Sequence, residues 1–119
     1  MTQTATASPA ELQAALQTLG ATRVEATLLA YLQSHGAAGT KDIVSATGLR
    51  QPEVSVGMRT FRDRGWVDAE SVAGQGKGRP MHRYRLTVPP KEIRSHYQQI
   101  GEENVAMQKA AIQALKALG

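Results

Sequence analysis

Gly48-Leu-Arg-Gln-Pro-Glu-Val-Ser-Val-Gly-Met-Arg-Thr-Phe-Arg-Asp-Arg-Gly-Trp-Val67 is the stretch around which the rest of the chain is read. It predicts a tight turn at Gly48, a helix over residues 52–64 and a stop at Gly65. Proline suits a first helical position, where its missing N–H is an orphan in any case. Glycine suits the left-handed residue just past a helix end. Val54, Met58 and Phe61 recur at helical spacing and point to a core, and Gly57 lets a neighbour approach closely. The opposite face holds Gln51, Ser55, Arg59 and Arg62, a row of hydrogen-bonding side chains with almost no acid. A buried stripe backed by a donor-rich face is what reading a major groove requires.

The distribution of charge supports the same reading. The chain of 119 residues carries 14 Lys and Arg against 10 Asp and Glu. Residues 49–85 hold eight of the basic residues and only four of the acidic ones, which concentrates the net +4 there. A local basic excess favours a polyanion partner, although a solvated basic surface would have the same composition. There is no cysteine, so disulfides, thiolate zinc sites and thiol redox chemistry are excluded. No apolar run approaches the roughly 18 residues of a membrane span, and no basic segment followed by an apolar core marks a secretory signal. A soluble, cytoplasmic, nucleoid-associated protein is expected. The length fits one domain with an appended helix.

Before the central stretch, residues 1–7 lack periodicity and are expected to be a disordered tail. Ser8-Pro9 then caps a short helix with Leu12, Leu16 and Leu19 along one side. Thr22-Arg-Val-Glu25 fits a capping box. The helix it opens places Val24, Leu28, Tyr31 and Leu32 on one face and closes at Gly36. Residues 37–39 are compatible with a short strand, which the pattern does not decide. Thr40 is expected to cap a further short helix with Ile43, Val44 and Leu49 facing inward, and Lys41 near its start is placed to reach a phosphate.

After the central helix, residues 66–73 read as extended. Gly74-Gln-Gly-Lys-Gly-Arg-Pro80 forms a cationic loop, and residues 81–88 alternate, with Tyr84, Leu86 and Val88 opposite Arg83, Arg85 and Thr87. This predicts a hairpin with Lys77 and Arg79 at its tip. Pro89-Pro90 then starts a long helix over residues 91–118. Its Ile93, Tyr97, Ile100, Asn104, Met107 and Ala111 are spaced alternately by four and three residues, as along a helix–helix seam. Val105, Ile112 and Leu115 widen that apolar face. A second subunit is the expected cover, making Leu12, Leu16, Ile93, Tyr97, Ile100, Asn104, Met107, Ala111, Leu115 and Leu118 candidate dimer contacts. Asn104 either fixes register in the seam or sits at its edge.

The order of helix, short helix, turn, helix and basic-tipped hairpin is that of a winged helix-turn-helix. The run Thr40-Lys-Asp-Ile-Val-Ser-Ala-Thr-Gly-Leu-Arg-Gln-Pro-Glu-Val-Ser55 resembles the helix-turn-helix of MarR-like and archaeal TrmB-like transcriptional regulators. Phe61-Arg-Asp-Arg-Gly-Trp-Val67 is similar to their exit from the recognition helix, and Gly78-Arg-Pro80 through Tyr84-Arg-Leu-Thr87 to their wing. The resemblance covers residues 21–88. It implies a mainly α fold with a small β-hairpin wing (α+β) and a DNA-binding domain over residues 8–88. It also implies a dimerisation helix over residues 89–119, and binding of double-stranded DNA, at a palindromic site, as a homodimer. Such families often start the recognition helix with serine. Here Arg50-Gln51 precede Pro52, which leaves the helix start less well fixed or reserves Gln51 for a base edge.

The candidate DNA contacts are therefore Arg50, Gln51, Pro52, Ser55, Arg59 and Arg62 on the recognition helix. Lys41, Lys77, Arg79, Arg83 and Arg85 are candidates on the wing and backbone. Arg59 and Gln51 are expected to read bases, the alternative being phosphate contact alone. Lys77-Gly-Arg79-Pro80 resembles half an AT-hook, which implies an arginine in a narrow minor groove; the alternative is a loop with solvating charges. Arg83 and Arg85 fit phosphate contacts. No metal site is expected: of His35, His82 and His96, only His96 has carboxylates close on its own helix, and Glu102 and Glu103 lie too far along it to converge. No cofactor or catalytic motif is present, no motif identifies a small-molecule effector, and an enzyme is not expected. A winged-helix protein-interaction or architectural module of transcription or chromatin is the alternative to a DNA-reading regulator.

Overall fold

The computed structural model describes residues 8–72 and 81–119; the loop tip with Lys77 and Arg79, and the expected tail at residues 1–7, lie outside them. Helix α1 (Pro9–Thr18) starts at a capping box in which Ser8 Oγ accepts from the Glu11 N–H at 3.2 Å and Glu11 Oε1 accepts from the Ser8 N–H at 2.9 Å. Helix α2 (Arg23–His35) starts at the expected box between Thr22 and Glu25, with bonds of 3.0 and 3.1 Å. Strand β1 (Ala38–Gly39) resolves the undecided segment. Helix α3 (Thr40–Thr47) has Gly39 at its N-cap position with no side-chain cap bond, so Thr40 stands at its first turn and not at the cap.

Helix α4 (Gln51–Asp63) follows, then strands β2 (Val67–Val72) and β3 (Met81–Leu86), and finally helix α5 (Pro90–Ala117). The three strands form one antiparallel sheet in the order β1-β3-β2. Tyr84 pairs with Ala38 on one side and Ala69 on the other, and Val67 pairs with Leu86. The hairpin is thus the wing, with β1 as its third strand.

Gly65 (φ 79°) takes the left-handed conformation expected past the end of α4, and Gly48 (φ 77°), at the expected turn before it, is left-handed as well. The core gathers Leu28, Leu29 and Leu32 of α2, Ile43 of α3, Val54, Met58 and Phe61 of α4, and Trp66, Val67 and Tyr84 of the wing root. A Cβ at Gly57 would overlap Leu28 Cδ1, so this glycine sets how closely α4 packs on α2, as the sequence suggested.

Helix α5 corrects part of the expected seam. Ile93 and Tyr97 are buried in the chain's own core, as is Leu16 of α1, so these three side chains are used within the protomer. Leu12 and Ile100 pack partly against the same core. From residue 102 onward every position of α5 is exposed, including Asn104, Met107, Ala111 and Leu115, as is Leu118 after it. A Cβ at Gly101 would overlap Leu19 Cδ2, so α1 closes directly onto α5 at this glycine.

Candidate nucleic-acid interface

Burial divides α4 into two faces. Val54, Gly57, Met58 and Phe61 are buried, while Gln51, Pro52, Ser55, Arg59 and Arg62 are exposed. At about 100° per residue, Gln51, Ser55, Arg59 and Arg62 fall on one side of the helix. Arg50, the residue preceding α4, is exposed as well.

The start of α4 is better fixed than the missing hydroxyl cap implied. Glu53 Oε1 accepts from the Arg50 N–H at 2.9 Å, and Glu53 Oε2 accepts from Arg23 Nη2 on α2 at 3.2 Å. A third-position carboxylate can close a helix start from its own side whatever the cap residue is. The same contacts turn Glu53 away from the donor face toward α2. The remaining acid of α4, Asp63, is exposed in the last turn.

Lys41 is exposed in the first turn of α3. On β3, Arg83 and Arg85 are exposed and Tyr84 between them is buried, the expected alternation. Both arginines have neighbours: Arg83 Nη2 donates to the Ala37 carbonyl at 3.4 Å, and Arg85 Nη2 lies 3.7 Å from Asp68 Oδ2, its cross-strand partner. Surface pairs of this kind are worth about 0–1 kcal/mol, so a phosphate can compete for either guanidinium.

Arg64, counted in the sequence as part of the basic patch, is held in the fold. Its Nη1 donates to Tyr97 Oη at 3.1 Å, its Nη2 lies 3.9 Å from Glu25 Oε2, and its guanidinium carbon stands 4.9 Å from the Trp66 ring centroid. His96 packs edge-on against Trp66 at 4.9 Å between centroids. Burial lowers the His96 pKa from its ordinary value and the charge of Arg64 lowers it further, with Glu25 opposing. Burial raises the Tyr97 pKa against the hydrogen bond from Arg64. One guanidinium thus joins α2, the exit of α4 and α5. The exit is tied down further by Thr87, whose N–H donates to the Trp66 carbonyl at 2.8 Å and whose Oγ1 donates to the Gly65 carbonyl at 3.0 Å.

No protein-family model matches the chain, and no curated protein matches it in sequence. Solved structures do match in fold. TrmBL2, described as an archaeal chromatin protein with a novel mode of DNA binding, superposes with a TM-score of 0.60 at 19% identity; the match covers 92% of this chain but 39% of TrmBL2. A possible transcriptional regulator from Methanosarcina mazei Go1 gives 0.61 at 11% identity, covering 87% of this chain and 88% of that one. S. aureus MepR, solved in complex with DNA, gives 0.53 at 19% identity, covering 89% and 87%. The chain therefore has the winged helix-turn-helix fold of the MarR-like and TrmB-like regulators, with α3 and α4 as the helix-turn-helix, β2 and β3 as the wing, and α5 as the long C-terminal helix.

Proposed function

We propose that the chain is a homodimeric, sequence-specific double-stranded DNA-binding transcriptional regulator without enzymatic activity, acting in the cytoplasm on the nucleoid. In this reading α4 enters the major groove, and the wing lies on the minor groove or the backbone through Lys77, Arg79, Arg83 and Arg85. Residues 8–88 form the DNA-binding unit and residues 89–119 the dimerisation helix. The observation that carries the proposal is the outward face of α4: Gln51, Ser55, Arg59 and Arg62 are all exposed, and the nearby Glu53 is drawn off toward Arg23. Val105, Met107, Ile112, Leu115 and Leu118, all more than half exposed, support pairing of two copies along α5.

Selection of bound duplexes from a random pool, followed by a salt titration, tests this reading. The expected result is a palindromic consensus. If two subunits neutralise roughly 6–10 phosphates, affinity should fall by about three to five decades between 50 and 200 mM salt. A chromatin-type architectural role is the second reading, favoured by the likeness to TrmBL2. It requires the same salt dependence with no consensus, whereas salt-independent binding would remove both readings.

A further inference from the structure

Among the described residues, the large hydrophobic side chains that are strongly exposed stand on or just after the second half of α5, with one exception. The exception is Val56, which is 63% exposed on α4. It lies one turn after Pro52 and three residues before Arg59, both exposed. At 3.6 residues per turn, Val56 and Arg59 diverge by about 60° around the axis, and their Cβ atoms lie about 5–6 Å apart. The buried residues Val54, Met58 and Phe61 centre on the far side of the helix.

Helix formation does not account for a valine here, because an exposed helical position favours alanine or a straight side chain over a β-branched one. What valine supplies is a pair of methyl groups held in essentially one rotamer, so little side-chain freedom remains to be lost on contact. In a major groove the apolar group on a base edge is the 5-methyl of thymine, and a small aliphatic side chain is its natural counterpart.

We propose that Val56 is a specificity-determining residue that packs on a thymine 5-methyl beside the base pair met by Arg59. The inference rests on α4 being the DNA-reading helix. A spacing of about 5–6 Å between the two side chains corresponds to roughly one or two base-pair steps of about 3.4 Å. The thymine should therefore lie within that distance of the position at which Arg59→Ala relaxes preference.

The test uses the full chain and the duplex recovered by selection, with each thymine replaced singly by uracil. This removes one methyl and leaves the hydrogen-bonding edge unchanged. Wild-type protein should lose about fourfold in affinity per half-site at one thymine, the value of burying a single methyl-sized group. Val56→Ser, whose helix propensity is close to that of valine, should bind the thymine and uracil duplexes equally at that position. Val56→Ile should retain the discrimination, and melting temperature checks that both variants fold. Uracil replacement that is harmless throughout, or as harmful to Val56→Ser as to wild type, would overturn the proposal while leaving DNA reading intact. The latter result together with normal DNA affinity would assign Val56 to a protein contact along the groove it shares with Val24 of α2. A wild-type chain that selects no duplex would remove the DNA-reading assignment itself, and this inference with it.

Discussion

Helices α4 and α5 both bury one face, and they present opposite chemistry on the other. Helix α4 packs Val54, Met58 and Phe61 inward and turns Gln51, Ser55 and Arg59 to solvent. Helix α5 packs Ile93 and Tyr97 inward, then over about its last four turns leaves Val105, Met107, Ile112 and Leu115 exposed. The outward side of α4 satisfies its hydrogen-bonding groups in water and suits a charged, hydrated partner. That of α5 holds apolar surface in water, which associates with similar surface. Two exposed faces of one small chain therefore call for different partners.

The two helices should be most sensitive at their buried faces. Phe61→Ala should destabilise the chain by about 3–5 kcal/mol, and Ile93→Ala by about 2–5 kcal/mol, in denaturant unfolding. Were Ile93 mainly an intersubunit contact, its cost would depend strongly on protein concentration and the cost of Phe61 would not.

Next is the exposed end of α5. Wild-type protein at micromolar concentration should sediment at twice the chain mass of 12.8 kDa. Met107→Asp should sediment as a monomer, since it puts an unpaired charge where apolar groups meet. The unfolding of the core should not change, because Met107 is 62% exposed within the chain. A wild-type monomer would leave the face of α5 to a different protein.

The exposed face of α4 should respond in affinity alone. Arg59→Ala is expected to cost about 1–3 kcal/mol at one base pair in each half-site, the loss of a bidentate guanine contact. The melting temperature should stay near that of wild type. Uniform weakening on every sequence would make Arg59 a phosphate clamp.

The smallest effect should come from the junction between the two helices. The His96 pKa is lowered in the fold, by burial first and then by Arg64. The unfolded chain therefore takes up a proton near pH 6.5 that the folded chain resists. Stability should decline as the pH falls below that value, and His96→Gln should flatten the decline in thermal melts at pH 7.5 and 5.5.

Much of this arrangement was legible in the sequence because it is local. The Thr22 box, the turns at Gly48 and Gly65, the buried stripe of α4 and the alternation about Tyr84 each follow from residues a few positions apart. What escaped depended on distant partners. Ile93 and Tyr97 keep the spacing of a helix seam, but spacing cannot say whether the surface opposite belongs to the same chain. Arg64 reads as one more surface cation until Glu25, Trp66 and Tyr97 come to surround it. Glu53 reads as one of the four acids among residues 49–85, and its bond to Arg50 is not apparent from sequence because a capping box is usually sought behind serine or threonine. Strand β1 has two residues, too few for any periodicity.

The contacts of Arg64 have a mechanical consequence. They hold α5 at Tyr97, a little before it leaves the body of the domain, so the part of the helix from Tyr97 to Ala117 is the arm of a lever pivoting there. Such an arm is about 30 Å long, and a swing of about 10° at the fulcrum carries its far end about 5 Å, roughly one and a half base-pair steps. If two copies pair along α5 as proposed, the angle set by Glu25, Trp66 and Tyr97 around one guanidinium becomes a calliper setting for the distance between their α4 helices.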